Sequence, residues 1–273
     1  RMPDLADLLP MLALLLVIGG FAGVIGGLLG VGGGIVLVPA FFYAFGSLEY
    51  GGDQLMQVCV ATSMATIVVT SLRSLSAHNR KGAVDWDVLK SWGPTLVVAS
   101  AIGTFVASRV PSVTLQAVFG TLAGLAGLWM AFGREDWRLG SVMPGQPARS
   151  ALAGGVGFFS AMMGIGGGTF GVPLMTLYGM PIHRAVATAS GFGVLIAVPS
   201  VLGFLFLPVV EAPPWTIGAV NLPAFLVVIG TTLLTTPLGV RLAHAMNPKP
   251  LKRAFAIFLT LVALNMLRKV LGW

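Results

Sequence analysis

Two glycine runs are the residues of this chain best placed to do chemistry. Gly30-Val31-Gly32-Gly33-Gly34 is followed five residues later by Pro39, and Gly164-Ile165-Gly166-Gly167-Gly168 by Pro173. Each run sits inside a long apolar stretch. Glycine weakens a helix by roughly 1 kcal/mol relative to alanine, so three in succession break it. Lipid tolerates irregular backbone only where protein or a water-lined cavity satisfies it. A helix restarting after Gly32, Gly33 and Gly34 presents free N–H groups and a partial positive charge. A second restart follows Gly166, Gly167 and Gly168. Two such starts facing each other at mid-membrane would hold a small anion without a buried cation. The competing use of glycine is tight helix packing, which takes spaced rather than consecutive small residues. Gly19, Gly20, Gly23, Gly26 and Gly27 fit that use. A nucleotide loop is excluded, because no Gly-Lys-Ser/Thr follows and no strand precedes.

Hydroxyls come next. Thr62, Ser63, Thr66, Thr70 and Ser71 run along one side of a predicted helix, and Thr188 and Ser190 answer from the second half. Hydroxyls donate to anionic oxygens; within a membrane helix they also bond the carbonyl one turn back. Thr62, Ser63, Thr188 and Ser190 are the predicted lining of an anion site. Beyond them lies a charged cluster of Arg73, His78, Arg80, Lys81, Asp85 and Asp87. Arg73, nearest the apolar run, is the candidate electrostatic guide. His78, Arg80 and Asp85 are candidates for gating or coupling, since histidine titrates near neutral pH. Interface anchoring is the plainer role for such a cluster.

What is missing also narrows the function. All nine carboxylates lie at the ends of apolar runs or between them. Intramembrane proton relays and aspartyl protease chemistry need acids inside a span. The three histidines (His78, His183, His244) flank spans, and no metal-ligand spacing is present. No enzyme activity, metal or cofactor is expected.

The elements that must position these residues are membrane helices. Only 9% of the 273 residues are charged and 56% are hydrophobic, against about 25% charged in a soluble domain. The net charge of +7 resides in short loops, as the positive-inside rule requires, and does not indicate nucleic acid. The first apolar run is far too long for a leader peptide. Cys59 stands alone and is expected to pack as a small apolar residue. Asp7 and Glu49 enclose 41 uncharged residues. As one helix they would measure about 60 Å, twice the ~30 Å hydrocarbon core. That run must turn back at its glycines, and so must residues 150–182. Further spans are predicted at Leu55–Leu72, Ser91–Ser108, Val113–Phe132, Ala185–Leu207, Leu222–Val240 and Leu251–Leu267.

A polar linker, residues 134–149, divides the chain into repeats 1–133 and 150–273. Beyond the glycine runs, Ala61-Thr62 matches Ala187-Thr188. Gly82-Ala83-Val84-Asp85 matches Gly218-Ala219-Val220-Asn221, and Gly103 matches Gly239. Leu115 and Phe119 likewise match Leu251 and Phe255. Loop charge puts residues 73–90, the linker, His183-Arg184 and residues 241–253 inside, and residues 46–54 and 208–221 outside. Equivalent loops thus fall on opposite faces. The expected fold is an all-α polytopic membrane protein, an inverted repeat in which each half is a broken-helix hairpin plus three transmembrane helices. Both termini are then outside.

These motifs resemble the TauE/SafE family of sulfite and sulfonate transporters, also called the toluene sulfonate uptake permease family. The resemblance is carried by residues 26–34 with Pro39, Ala61-Thr62-Ser63, the block from His78 to Trp86, Gly164 to Gly168 with Pro173, and Ala187 to Ser190. It covers nearly the whole chain. One departure is Asn221 where the first half has Asp85. The resemblance implies a multi-pass secondary transporter in the bacterial inner membrane, moving sulfite or sulfonates such as sulfoacetate. Its partners would be a small anionic substrate and the lipid bilayer. An anion channel and a non-transporting structural membrane protein are the rival readings. The topology has a direct check: in a Cys59→Ala background, cysteine at Gln146 is expected to label from the cytoplasmic side, and labelling from outside would overturn the assignment.

Overall fold

A computed structural model describes residues 5–29, 32–133, 137–245 and 249–272. Gly30 and Val31 of the first glycine run, and Arg134 where the linker begins, lie outside these. Ten α-helices account for most of the described chain: α1 Leu5–Leu29, α2 Gly34–Ser47, α3 Leu55–Asn79, α4 Trp86–Ala107, α5 Ser112–Phe132, α6 Ala148–Met163, α7 Gly168–Leu177, α8 Ile182–Leu205, α9 Leu222–Ala245 and α10 Lys249–Val270. Four of them, α3, α5, α8 and α9, are long and apolar enough to cross a membrane by length and composition. The chain is an all-α, multi-pass membrane protein.

Both glycine runs break the helix. Between α1 and α2, Gly32 and Gly33 take φ of +70° and +79°, a left-handed conformation that side chains other than glycine resist. Between α6 and α7, Gly164 takes φ +70°. The arms differ in length. α1 has 25 residues, whereas α2 has 14, α6 has 16 and α7 has 10. Spanning takes about 20 residues, so these three arms are short of a full crossing.

Two of the long helices run past the predicted ends. α3 continues seven residues beyond Leu72, carrying Arg73 and His78, and α9 continues five residues beyond Val240. Absence of charge marks the hydrocarbon-embedded part of a helix, and the hydrogen-bonded backbone continues into the interface. The other difference is a two-stranded antiparallel ribbon, β1 (Thr216–Ile217) and β2 (Val220–Asn221), pairing Thr216 with Asn221 and Ile217 with Val220. Gly218 makes its turn at φ +58°, where a Cβ would meet the Phe204 carbonyl oxygen at 2.5 Å.

α3 and α8 pack against each other at the centre and are the most enclosed spans, while α5 and α9 are mostly exposed to the surroundings. Around them α1 lies along α9, α6 along α4, and α5 along α10. Glycines let the first two pairs approach closely. A Cβ on Gly27 would strike the Thr236 carbonyl oxygen, and one on Gly239 the Val24 carbonyl oxygen. In the other pair, a Cβ on Gly157 would lie 2.7 Å from Leu96 O, and one on Gly103 2.5 Å from Phe158 O. Gly19 and Gly23 also face α9, as expected of packing glycines. Gly26 instead lies against the Gly32–Gly33 turn, and Gly20 meets only the Thr235 methyl, at 3.9 Å. Trp92 and Phe192 stack at 5.7 Å where α4 meets α8.

Overpacking of this kind costs about 1–3 kcal/mol. Gly239→Ala or Gly103→Ala is therefore expected to lower the thermal unfolding midpoint in detergent by several degrees. Gly230→Ala, with nothing within 4 Å of its Cβ position, is expected to leave it unchanged or slightly raised.

Candidate functional site

The two glycine breaks meet inside the bundle. α6 closes with Gly164 in the left-handed conformation, with Ile165 N donating to Ser160 O (3.1 Å) and Gly164 N to Ala161 O (3.3 Å), the glycine-capped ending common in helices. The Gly164 carbonyl is thereby turned towards the first break. A Cβ on Gly34 would lie 2.5 Å from that oxygen and 2.6 Å from Ile67 Cδ1. Only glycine fits there. α3 secures both breaks: Ser63 Oγ donates to Gly164 O at 2.7 Å, and Thr70 Oγ1 to Gly32 O at 3.0 Å. α8 borders them from the other side. Gly167 lies against Phe192 and Ile196, and Gly193 against Ser71.

The starts of α2 and α7 project from this junction, and the first N–H groups of a helix have no partner within it. Gly32, Gly33, Gly34, Gly166, Gly167 and Gly168 are all buried. Near them are hydroxyls with no hydrogen-bond partner: Ser71 on α3, Thr169 in the first turn of α7, and Ser160 one turn before Gly164. Ser71 Oγ is 3.0 Å from where a Cβ on Gly32 would stand. A buried unpaired hydroxyl costs about 1–3 kcal/mol.

Thr62 and Thr188 have matched surroundings. Asn221 N donates to Thr62 Oγ1 at 3.0 Å, and Asp85 N donates to Thr188 Oγ1 at 2.9 Å. Each donor residue also caps the helix that follows it. Asp85 Oδ1 accepts from Val88 N at 3.1 Å, and Asn221 Oδ1 from Ala224 N at 3.0 Å. The same device thus appears twice, each threonine receiving the residue that opens a helix in the other half. The Asp-to-Asn difference preserves the cap, because both side chains offer an oxygen. Both threonine hydroxyls are buried and accept these bonds.

The remaining predicted residues divide. Ser190 Oγ donates to Ala187 O within its own helix, at 2.6 Å. Arg73 and Arg80 are exposed. Asp85 pairs with Arg184 at 2.9 Å. His78 is fully buried, with Nδ1 3.1 Å from His244 Nε2 and Nε2 3.3 Å from Gly27 O. Sequence reasoning missed Thr169 and Ser160. For Thr169 a signal existed, since a hydroxyl directly after a glycine run falls in the first turn of the restarted helix. It also missed the meeting of His78 with His244, which no spacing reveals.

The site thus lies in a multi-pass bundle of membrane helices that is broken twice at its centre, with unpaired hydroxyls at the breaks. Residues 15–266 match the family model described as Sulfite exporter TauE/SafE, and the chain belongs to that family. It is 29% identical to a "Probable membrane transporter protein" of Haemophilus influenzae over 264 residues, covering 94% of this chain and 98% of the relative. It is 26% identical over 263 residues to a protein of the same description from Methanocaldococcus jannaschii, covering 96% and 97%. No solved structure matches significantly.

Removing a buried acceptor leaves its donor unsatisfied, at about 1–3 kcal/mol. Thr62→Val and Thr188→Val are each expected to destabilise the protein by that order, read as a lowered thermal midpoint. Serine at either position, which keeps the oxygen, is expected to restore most of the loss.

Proposed function

We propose that the protein is a secondary transporter of small sulfur-containing anions, such as sulfite or sulfonates, in the cell inner membrane. The anion binds where the two glycine breaks meet. The observation that carries this reading is the contact of Gly34 with the Gly164 carbonyl oxygen, beside the unpaired hydroxyls of Ser71 and Thr169. Backbone N–H groups at the starts of α2 and α7 supply the positive potential. Thr62 and Thr188 are the surrounding hydroxyls in this reading, while Ser63 and Ser190 donate to the Gly164 and Ala187 carbonyls and shape the site; Arg73 and Arg80 are exposed cations that attract the anion to the bundle. Sulfur is supplied by the description of the family; the helix starts and hydroxyls argue for an oxyanion of any kind.

The halves 1–133 and 150–273 are, in this proposal, inverted repeats joined by the linker 134–149. Three features support that reading. Equivalent helices pack reciprocally, α1 on α9 and α6 on α4. Thr62 and Thr188 receive the equivalent residues Asn221 and Asp85. Gly239 and Gly103, matched in sequence, both make backbone contact in those pairs. Rocking of one half against the other then opens the central site to each side in turn.

The test is a thermal-shift series with sulfite, methanesulfonate, sulfate and chloride, since a ligand of the folded state raises the midpoint. Sulfite or methanesulfonate is expected to shift it most. Ser71→Ala and Thr169→Val are expected to fold normally and weaken binding about tenfold or more each, the worth of a hydrogen bond to a charged group. Flux in liposomes that saturates and is stimulated by anion on the far side marks a carrier; unsaturated flux would mark a channel, and no shift with any anion would defeat the reading.

A further inference from the structure

The three histidines of the chain, spaced more than 60 residues apart in sequence, converge at one end of the bundle. His78 is in the last turn of α3, His244 in the last turn of α9, and His183 in the first turn of α8. The His78 and His244 rings are 5.3 Å apart, and His183 stacks on His244 at 5.7 Å with an interplanar angle of 19°. His78 is fully buried, and His244 is exposed.

The contacts determine where the protons are. Gly27 O can only accept, so His78 Nε2, 3.3 Å away, carries a hydrogen. In neutral His78, Nδ1 is then a bare acceptor, and His244 Nε2 at 3.1 Å must be the donor. That leaves His244 Nδ1 with a free lone pair. One added proton binds there without disturbing either contact, and His244 becomes the cation. A second proton could go only to His78 Nδ1. It would set two N–H groups head to head at that 3.1 Å separation, and the contact would break. The pair therefore stores one proton and no more.

We propose that His78 and His244 form a one-proton binding site that makes anion transport proton-coupled. The proposal rests on the anion-carrier reading for its substrate. The pair ties three elements together, because Gly27 is on α1 and packs against α9 at Thr236. It also shares α3 with the central site: Thr70, which bonds the first glycine break, is eight residues before His78, or about 12 Å along the helix. The other charges around it are cationic or already paired. Lys81 and His183 act electrostatically on both rings. Arg241, one turn before His244, and Arg73 and Arg80 on α3 are exposed, Arg184 is paired with Asp85, and α1 has no charged residue after Asp7. A proton added to this cationic group is favoured when an anion occupies the bundle. By linkage, the proton favours the anion to the same degree. With no acid inside any span, this pair is the group that binds a proton close to the anion path, and one proton per monovalent anion makes the cycle electroneutral.

Three measurements test this on the full-length protein in lipid nanodiscs and liposomes. With three histidines, ¹⁵N-histidine NMR resolves every ring. His78 and His244 are both expected as Nε2–H tautomers at high pH, taking up one shared proton on acidification. Sulfite affinity by thermal shift is expected to be about tenfold tighter at pH 5.5 than in His244→Gln or His78→Gln protein, with the three converging at pH 8. The ionisation of sulfite itself is common to all three and cancels. Proton uptake accompanying sulfite entry into liposomes is expected in the wild type and at least tenfold reduced in His244→Gln, whose exposed site tolerates the change. Rings that titrate independently, or a His244→Gln protein with the wild-type pH profile, would overturn the proposal. Absence of any anion-induced shift in the wild type would instead remove the carrier reading on which it stands.

Discussion

A broken helix inside a membrane leaves backbone groups that water cannot reach, and the rest of the bundle is arranged around satisfying them. Here that work falls to α3. Ser63 takes the Gly164 carbonyl of one break, and Thr70 takes the Gly32 carbonyl of the other. A single central helix thus holds both breaks in place. That is consistent with its being among the most enclosed spans. It also explains why polar residues are tolerated there, since each bonded hydroxyl satisfies a carbonyl that would otherwise be stranded.

The same economy recurs where helices start. α4 and α9 are each capped by a side chain, Asp85 and Asn221, whose own backbone N–H is received by a threonine of the opposite half. Helix starts, the central helices and the close α1–α9 and α4–α6 pairs are therefore interlocked across the linker. Neither half buries its surfaces alone.

The breaks leave hydroxyls over. The Gly32 and Gly164 carbonyls are taken, whereas Ser71 and Thr169 are without partners. In the proposed function these hydroxyls join the helix starts in holding a small oxyanion without a buried cation. His78, His183 and His244 gather with Lys81 at one end of the bundle.

Much of this was legible in the residues themselves. Low charge and long apolar runs demand a multi-pass helical protein. A run of 41 uncharged residues is too long to cross once, so the need for a turn could be read from length and its position at Gly32–Gly34 from the glycines. Spaced glycines in α1 signalled close packing, which Gly19, Gly23 and Gly27 show against α9. These are local properties, set by propensity, length and solvation. Tertiary structure decided the rest. It assigned the hydroxyls their partners, tying Thr62 and Thr188 to Asn221 and Asp85, turning Ser190 back to its own helix and leaving Ser71 and Thr169 unpaired. It also brought His78 against His244 across 166 positions. Sequence spacing constrains which residues share a helix face. Which faces meet depends on how whole helices pack, and that is settled only when every buried group in the bundle has to be satisfied at once.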